Sequence, residues 1–177
     1  MSLEFEEPMT RILTTIALSC LVGTMSLSAQ MKHVDLKDAK GNAVGMAMLS
    51  PAKGGGVNVA LDVKGLPPGE HAVHFHAVPK CEAPLTSAGS HFNPANKKHG
   101  MQNPEGPHAG DMPNFTVTAA GTAKTTVTNK NVTLGDGANS LYANGGTALV
   151  IHAAADDMKS DPAGNAGDRI ACGTITK

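Results

Sequence analysis

An all-β fold, a sandwich or a barrel, is what this 177-residue chain predicts, on three observations. The run Val57-Asn58-Val59-Ala60-Leu61-Asp62-Val63 alternates, placing Val57, Val59, Leu61 and Val63 on one face as a half-buried strand does. Turn formers recur at short intervals, at 39–42, 53–56, 65–69, 135–137 and 144–146. Helical periodicity is hard to find. Short strands between regularly spaced turns are the pattern of a sandwich or barrel. The length suits one domain with a respectable core. With one Tyr, four Phe and no Trp, that core must rest on Val, Leu, Ile, Met and Ala. A formal net charge of −1 without long charged runs argues against a nucleic-acid partner.

Taken in order, the chain opens on a segment unlike the rest. Residues 11–29 are apolar and small, follow Arg11 and end at Ala29-Gln30, which reads as a secretory leader cleaved after Ala29. Ser, Thr and Gly interrupt the run, and it is short for a permanent membrane span. Residues 1–8 are acidic, wrong for the start of a leader, and read as a mis-assigned start or an expression-derived addition. The expected organisation is therefore a leader over 1–29 and one domain over 30–177. Export to the periplasm or cell envelope follows, with lipid anchoring through Cys20 as the weaker alternative. Loss of Cys20 with the leader leaves Cys81 and Cys172. In an oxidising compartment an even pair reads as a disulfide; the alternative is two thiols, one of them a metal ligand. The bridge would close a loop of roughly ninety residues, worth about 4 kcal/mol on the chain-entropy estimate.

Residues 71–76 form the next strand, with His74 and His76 on one face and His71, Val73 and Phe75 on the other. The first pair can chelate one ion, while His71 looks inward as a structural hydrogen-bonding residue. Short Thr- and Val-rich strands follow at 115–118 and 122–128, and a later apolar run ends in His152. Two stretches, 77–114 and 153–168, show little alternation and are rich in Pro, Gly, Asn, Asp and Lys. Loops that long in a compact domain are usually functional or disordered. The first carries His91, His99, His108 and Asp111, spaced H-x7-H-x8-H-x2-D. Three imidazoles and a carboxylate make a closed tetrahedral set, as structural zinc prefers. Imidazole and carboxylate ligands together suit zinc, copper, iron or nickel, so redox chemistry on a bound metal leads the functional readings.

These motifs carry a resemblance. The segments 69–76, Ser87 to Pro94, Lys98-His99-Gly100, His108 to Asp111, Val150-Ile151-His152 and Gly164 to Gly173 resemble the copper–zinc superoxide dismutases in order and in most spacings. The interval from Cys81 to His91 is more similar to bacterial exported members. The resemblance implies an antiparallel Greek-key sandwich or flattened barrel, with two long loops over the metals. It implies copper on His74, His76, His91 and His152, and zinc on His91, His99, His108 and Asp111, with His91 shared. Asp156 matches the aspartate that hydrogen-bonds a ligand of each metal, and Arg169 the arginine beside copper. Cys81 and Cys172 match the family disulfide.

The implied activity is disproportionation of superoxide to dioxygen and hydrogen peroxide, with Arg169 and His91 as the catalytic residues. The alternative is a metal carrier on the same fold that does not turn over. The substrate is a small anion, and a homodimer is one of two open assembly states. Ala72-Val73 and Ala163 depart from the residues usual at those places, which bears on packing under the copper strand and on the entrance channel.

Overall fold

The computed structural model describes residues 31–177, so the leader, Cys20 and residues 1–8 lie outside the described residues. Nine strands carry the described fold: β1 (Lys32–Lys37), β2 (Ala43–Pro51), β3 (Val57–Lys64), β4 (Gly69–His71), β5 (Val73–His76), β6 (Phe115–Val117), β7 (Thr122–Asn129), β8 (Thr147–His152) and β9 (Arg169–Ile175). Seven of them form one antiparallel sheet in the order β5-β8-β9-β1-β2-β3-β7, and β4 and β6 pair separately. The chain passes from β3 to the far edge at β5, returns to β7 beside β3, then goes back to β8 beside β5. Such long returns are Greek-key connections. The sheet curls round its core into a flattened half-barrel.

The alternation that predicts β3 also shapes its neighbours. Val57, Val59, Leu61 and Val63 are buried together with Val34, Leu36, Val44, Ala47, Leu49, Leu149, Ile151 and Ile175. Full burial of such side chains stabilises by about 1.5–3 kcal/mol each. Phe75, Phe92 and Phe115 supply the aromatic part of that core. Strands β1 and β2 escape the reading of the sequence: in β2 Gly45, Ala47 and two methionines blur the alternation, whereas β1 alternates cleanly, Val34 and Leu36 inward between polar neighbours, but is short. The single strand expected across 71–76 is interrupted at Ala72. There the chain leaves its pairing with β6 and joins β8, and Ala72 exchanges backbone hydrogen bonds with Ala154 and His152 instead.

The two stretches without alternation are the two long connections, β5 to β6 and β8 to β9. The first folds back over the outer face of β8. Leu85 and Ala88 pack there on Ala148, Val150 and Cys172, which is why β8 is buried on both faces. It also covers the free edge of β5: Phe92 donates to the Phe75 carbonyl at 2.8 Å, and Phe75 donates to Gly110 at 3.0 Å. An edge strand is thereby closed by loop backbone rather than by another strand.

Candidate metal centre

Strand parity fixes the first group of side chains. In β5, Val73 and Phe75 enter the core, so His74 and His76 stand on the opposite face. In β8, Leu149 and Ile151 enter the core, which puts His152 on that same outer face with Val150. Pairing of His74 with Val150 and of His76 with Ala148 brings the two strands into register. A backbone bridge from His76 to His91 adds the fourth ring. All four are buried, and a ligand atom from each lies within 4.8 Å of the others.

The outer nitrogens of these rings are already engaged. His74 Nε2 lies 2.8 Å from Asp156, His76 Nδ1 2.9 Å from the Gly89 carbonyl, His152 Nδ1 3.3 Å from the Gly167 carbonyl, and His91 Nδ1 2.9 Å from Asp111. That leaves His74 Nδ1 and the Nε2 atoms of His76, His91 and His152. His76 and His152 bring theirs to 3.3 Å of each other. His74 Nδ1 and His91 Nε2 are buried with no hydrogen-bond partner. A buried polar atom left so costs about 1–3 kcal/mol and needs an explanation, and a metal ligand is one.

The second group is built by the loop. Asp111 Oδ1 lies 2.9, 3.1 and 3.4 Å from the Nδ1 atoms of His91, His99 and His108, and the last is 3.5 Å from His91 Nδ1. Ligands 2.0–2.1 Å from a tetrahedral ion stand about 3.3 Å apart. These separations fit that cage. Backbone N–H groups of Gly100 and His108, both at 2.9 Å, hold the other Asp111 oxygen. His91 belongs to both groups, one ring nitrogen to each.

Asp156 ties the groups together from the second loop. Its carboxylate accepts from His74 Nε2 at 2.8 Å and from His99 Nε2 at 3.0 Å. A carboxylate behind a ligating imidazole fixes its tautomer and orientation.

The family model for copper/zinc superoxide dismutase (SODC) matches residues 43–175. The chain belongs to that family. It is 49% identical over 163 residues to superoxide dismutase 1, a copper–zinc enzyme by name, of Aquifex aeolicus, covering 90% of this chain and 96% of that one. Among solved structures it is similar to a P104H mutant of a superoxide dismutase-like protein from Bacillus subtilis, with a TM-score of 0.80, 36% identity and coverage of 84% and 100%. The copper–zinc superoxide dismutase of Brucella abortus gives a TM-score of 0.69 at 29% identity, covering 82% of this chain and 99% of that one. Copper and zinc are thus the metals of this family member. The four-imidazole group and the tetrahedral group suit those ions in donor chemistry.

Around the centre, Cys81 and Cys172 form a disulfide that ties the first long loop to β9. Arg169, the first residue of β9, donates to the Leu85 carbonyl at 2.8 Å and, more closely, to that of Gly89. It therefore does not act as a surface partner of Asp168. It borders a cavity of about 440 Å³ shared with Ala39, Pro84, Thr86, Gly167 and Asp168. Burial lowers its pKa, though an arginine stays a cation. His71 is 1% exposed, with its ring nitrogens 2.8 Å from the carbonyls of His152 and Pro67, as expected of a structural residue.

The two groups differ in electrostatics. Burial first, then neighbouring rings, pushes His76 down to about 2 and His152 down to about 3. Burial also carries His91 down to about 4, against the pull of Asp111. Burial opposes the charge on His99 too, but its hydrogen bonds to Asp111 and Asp156 win and raise it to about 9. Both carboxylates resist burial through their hydrogen bonds and stay well below the usual range.

Reading the sequence misses three parts of the site. Asn114 clamps Asp156, donating to its carbonyl at 2.9 Å and accepting from its N–H at 2.9 Å. Asn129 is 2% exposed and holds the carbonyls of Ala109 and Asp111. Gly164 lies against Asp156 at positive φ, where a Cβ would overlap the carboxylate. Its place in the matching segment 164–173 is the one signal that could have found it.

Proposed function

We propose that this chain converts two superoxide anions and two protons to dioxygen and hydrogen peroxide. His74, His76, His91 and His152 hold copper, and His91, His99, His108 and Asp111 hold zinc. The observation that supports this most is the meeting of two complete ligand groups of different donor chemistry at one ring, His91. Bound copper supplies the one-electron couple for disproportionation, while zinc is a redox-silent fixed charge.

The chain's own residues do the rest. Arg169 presents a guanidinium at the mouth of the cavity, where it docks a small anion; the carbonyls of Leu85 and Gly89 hold its orientation. The Gly89 carbonyl also accepts from His76 Nδ1, so one backbone oxygen positions both the anion-docking group and a ligand ring. His91 Nε2 gives up and regains the proton delivered to the forming peroxide. In the metal-free chain burial keeps that ring neutral and Asp111 accepts from its other nitrogen, so the ring already stands between the two groups. Asp156 keeps His74 and His99 aimed inward.

The disulfide also supports export, because such bonds persist in oxidising compartments. The reading assigns residues 1–29 to a leader and the mature domain, 30–177, to the periplasm or cell envelope. The test of function is superoxide decay by pulse radiolysis, on protein carrying one copper and one zinc per chain. Rapid catalytic decay that disappears when copper is withheld is expected. Decay no faster than buffer, with both metals bound, would leave a metal carrier on this fold.

A further inference from the structure

Three thioethers and an imidazole share an exposed patch that plays no part in the centre described above. In β1 and β2 the core takes Val34, Leu36, Ala47 and Leu49, which turns His33, Met46 and Met48 to the outside. Met31 precedes His33 by two residues and continues the same row. The register is specific: His33 pairs directly with Met48, and Asp35 with Met46. Residues so opposed have Cβ atoms about 5 Å apart, and diagonal neighbours about 7–8 Å. Met48 therefore faces His33, lies diagonal to Met31 and stands two residues from Met46.

Among the described residues the large exposed apolar side chains are all methionines: Met31 at 60%, Met46 at 43% and Met101 at 48% exposure. Two of the three sit in this patch. A recess of about 340 Å³ beside it is lined by Met46, Met48, Ala60, Thr126 and the ion pair of Asp62 with Lys124 at 3.2 Å. Lys124 thus answers the Asp62 carboxylate, and apart from the exposed Asp35 opposite Met46 the donors facing outward here are soft. Thioether ligands select cuprous copper, and imidazole tolerates it. Methionine has three rotatable bonds, enough for the sulfurs of Met46 and Met48 to converge with the His33 ring on one ion, whereas Met31 lies four residues along the strands from Met46, too far for one ion to take both.

We propose that His33, Met46 and Met48 form a surface site for one cuprous ion, separate from the imidazole centre. It rests on the strand register and not on the reading of function. The test uses ascorbate-reduced holoenzyme carrying its copper and zinc, dialysed under nitrogen against the cuprous acetonitrile complex. Methionine methyl groups are labelled with carbon-13. One further copper per chain is expected, with the methyl signals of Met46 and Met48 shifting while that of Met101 stays. The shape-preserving double variant M46L/M48L should lose the extra copper and keep its dismutation rate. No uptake beyond the centre, equal uptake by the double variant, or a shift of Met101 as large as the others would overturn the site.

Discussion

The two halves of the metal centre are made in different ways. His74, His76 and His152 come from β5 and β8, strands whose opposite faces fill the core, so sheet register sets their positions. His99, His108 and Asp111 come from a loop without secondary structure of its own there, positioned by hydrogen bonds to Asp111 and Asp156. In the strand-borne half His76 and His152 are kept neutral by burial, while the loop-borne half keeps a charged His99. On the proposed assignment a redox ion would meet a pocket built by the fold, and a structural ion would complete the loop.

The sharpest way to break this contrast is His152→Ala. It should lower dismutation at least about 100-fold, beyond the upper range for changes behind a ligand, while zinc stays bound. Full activity with normal copper content would remove His152 from the site. Asp156→Asn acts on both halves and should weaken zinc binding by about 10–100-fold, measured by competition with a chelator. An unchanged zinc affinity would mean that the loop holds its own shape.

Acid and base should separate the halves next. His76, His91 and His152 have folded values of about 2, about 4 and about 3, so below about pH 6.5 the unfolded chain binds more protons. Their contribution to the metal-free fold is lost as pH falls through that window. His99, raised to about 9, contributes stability that is full below about pH 6.5 and disappears as pH rises to about 9. The melting temperature of metal-free protein should therefore peak near neutrality; a steady rise from pH 5 to 9 would deny the charge on His99. The smallest effect belongs to Asn114→Ala, which removes two hydrogen bonds to the Asp156 backbone, worth about 1–3 kcal/mol together. It should speed zinc release several-fold with little change in copper content, and equal loss of both metals would contradict it.

The same contrast explains what could be read in the sequence. Parity along β5 placed His74 and His76 opposite Phe75 from the residues alone, because a period of two is a local property. The loop ligands were readable as residue types, and their breaks at 77–114 and 153–168 match the two connections. Their partners were not readable. The carbonyls of Leu85 and Gly89 that orient Arg169 are backbone atoms and leave no trace in composition. Asn114 lies 42 residues from Asp156, and an Asn after Pro113 reads only as a turn. Strand β2 was hidden by Gly45, Ala47 and two methionines, whose burial alternates although their hydrophobicity barely does.

The sharing of His91 is the centre of this account, and proton counting tests it directly. Zinc and then copper are titrated into metal-free protein at pH 7.5, by calorimetry in buffers of different ionisation heat. Zinc should release about one proton, from His99, and copper about one more, as His91 surrenders the proton on its second nitrogen. Copper binding without proton release would mean that the two ions do not share His91.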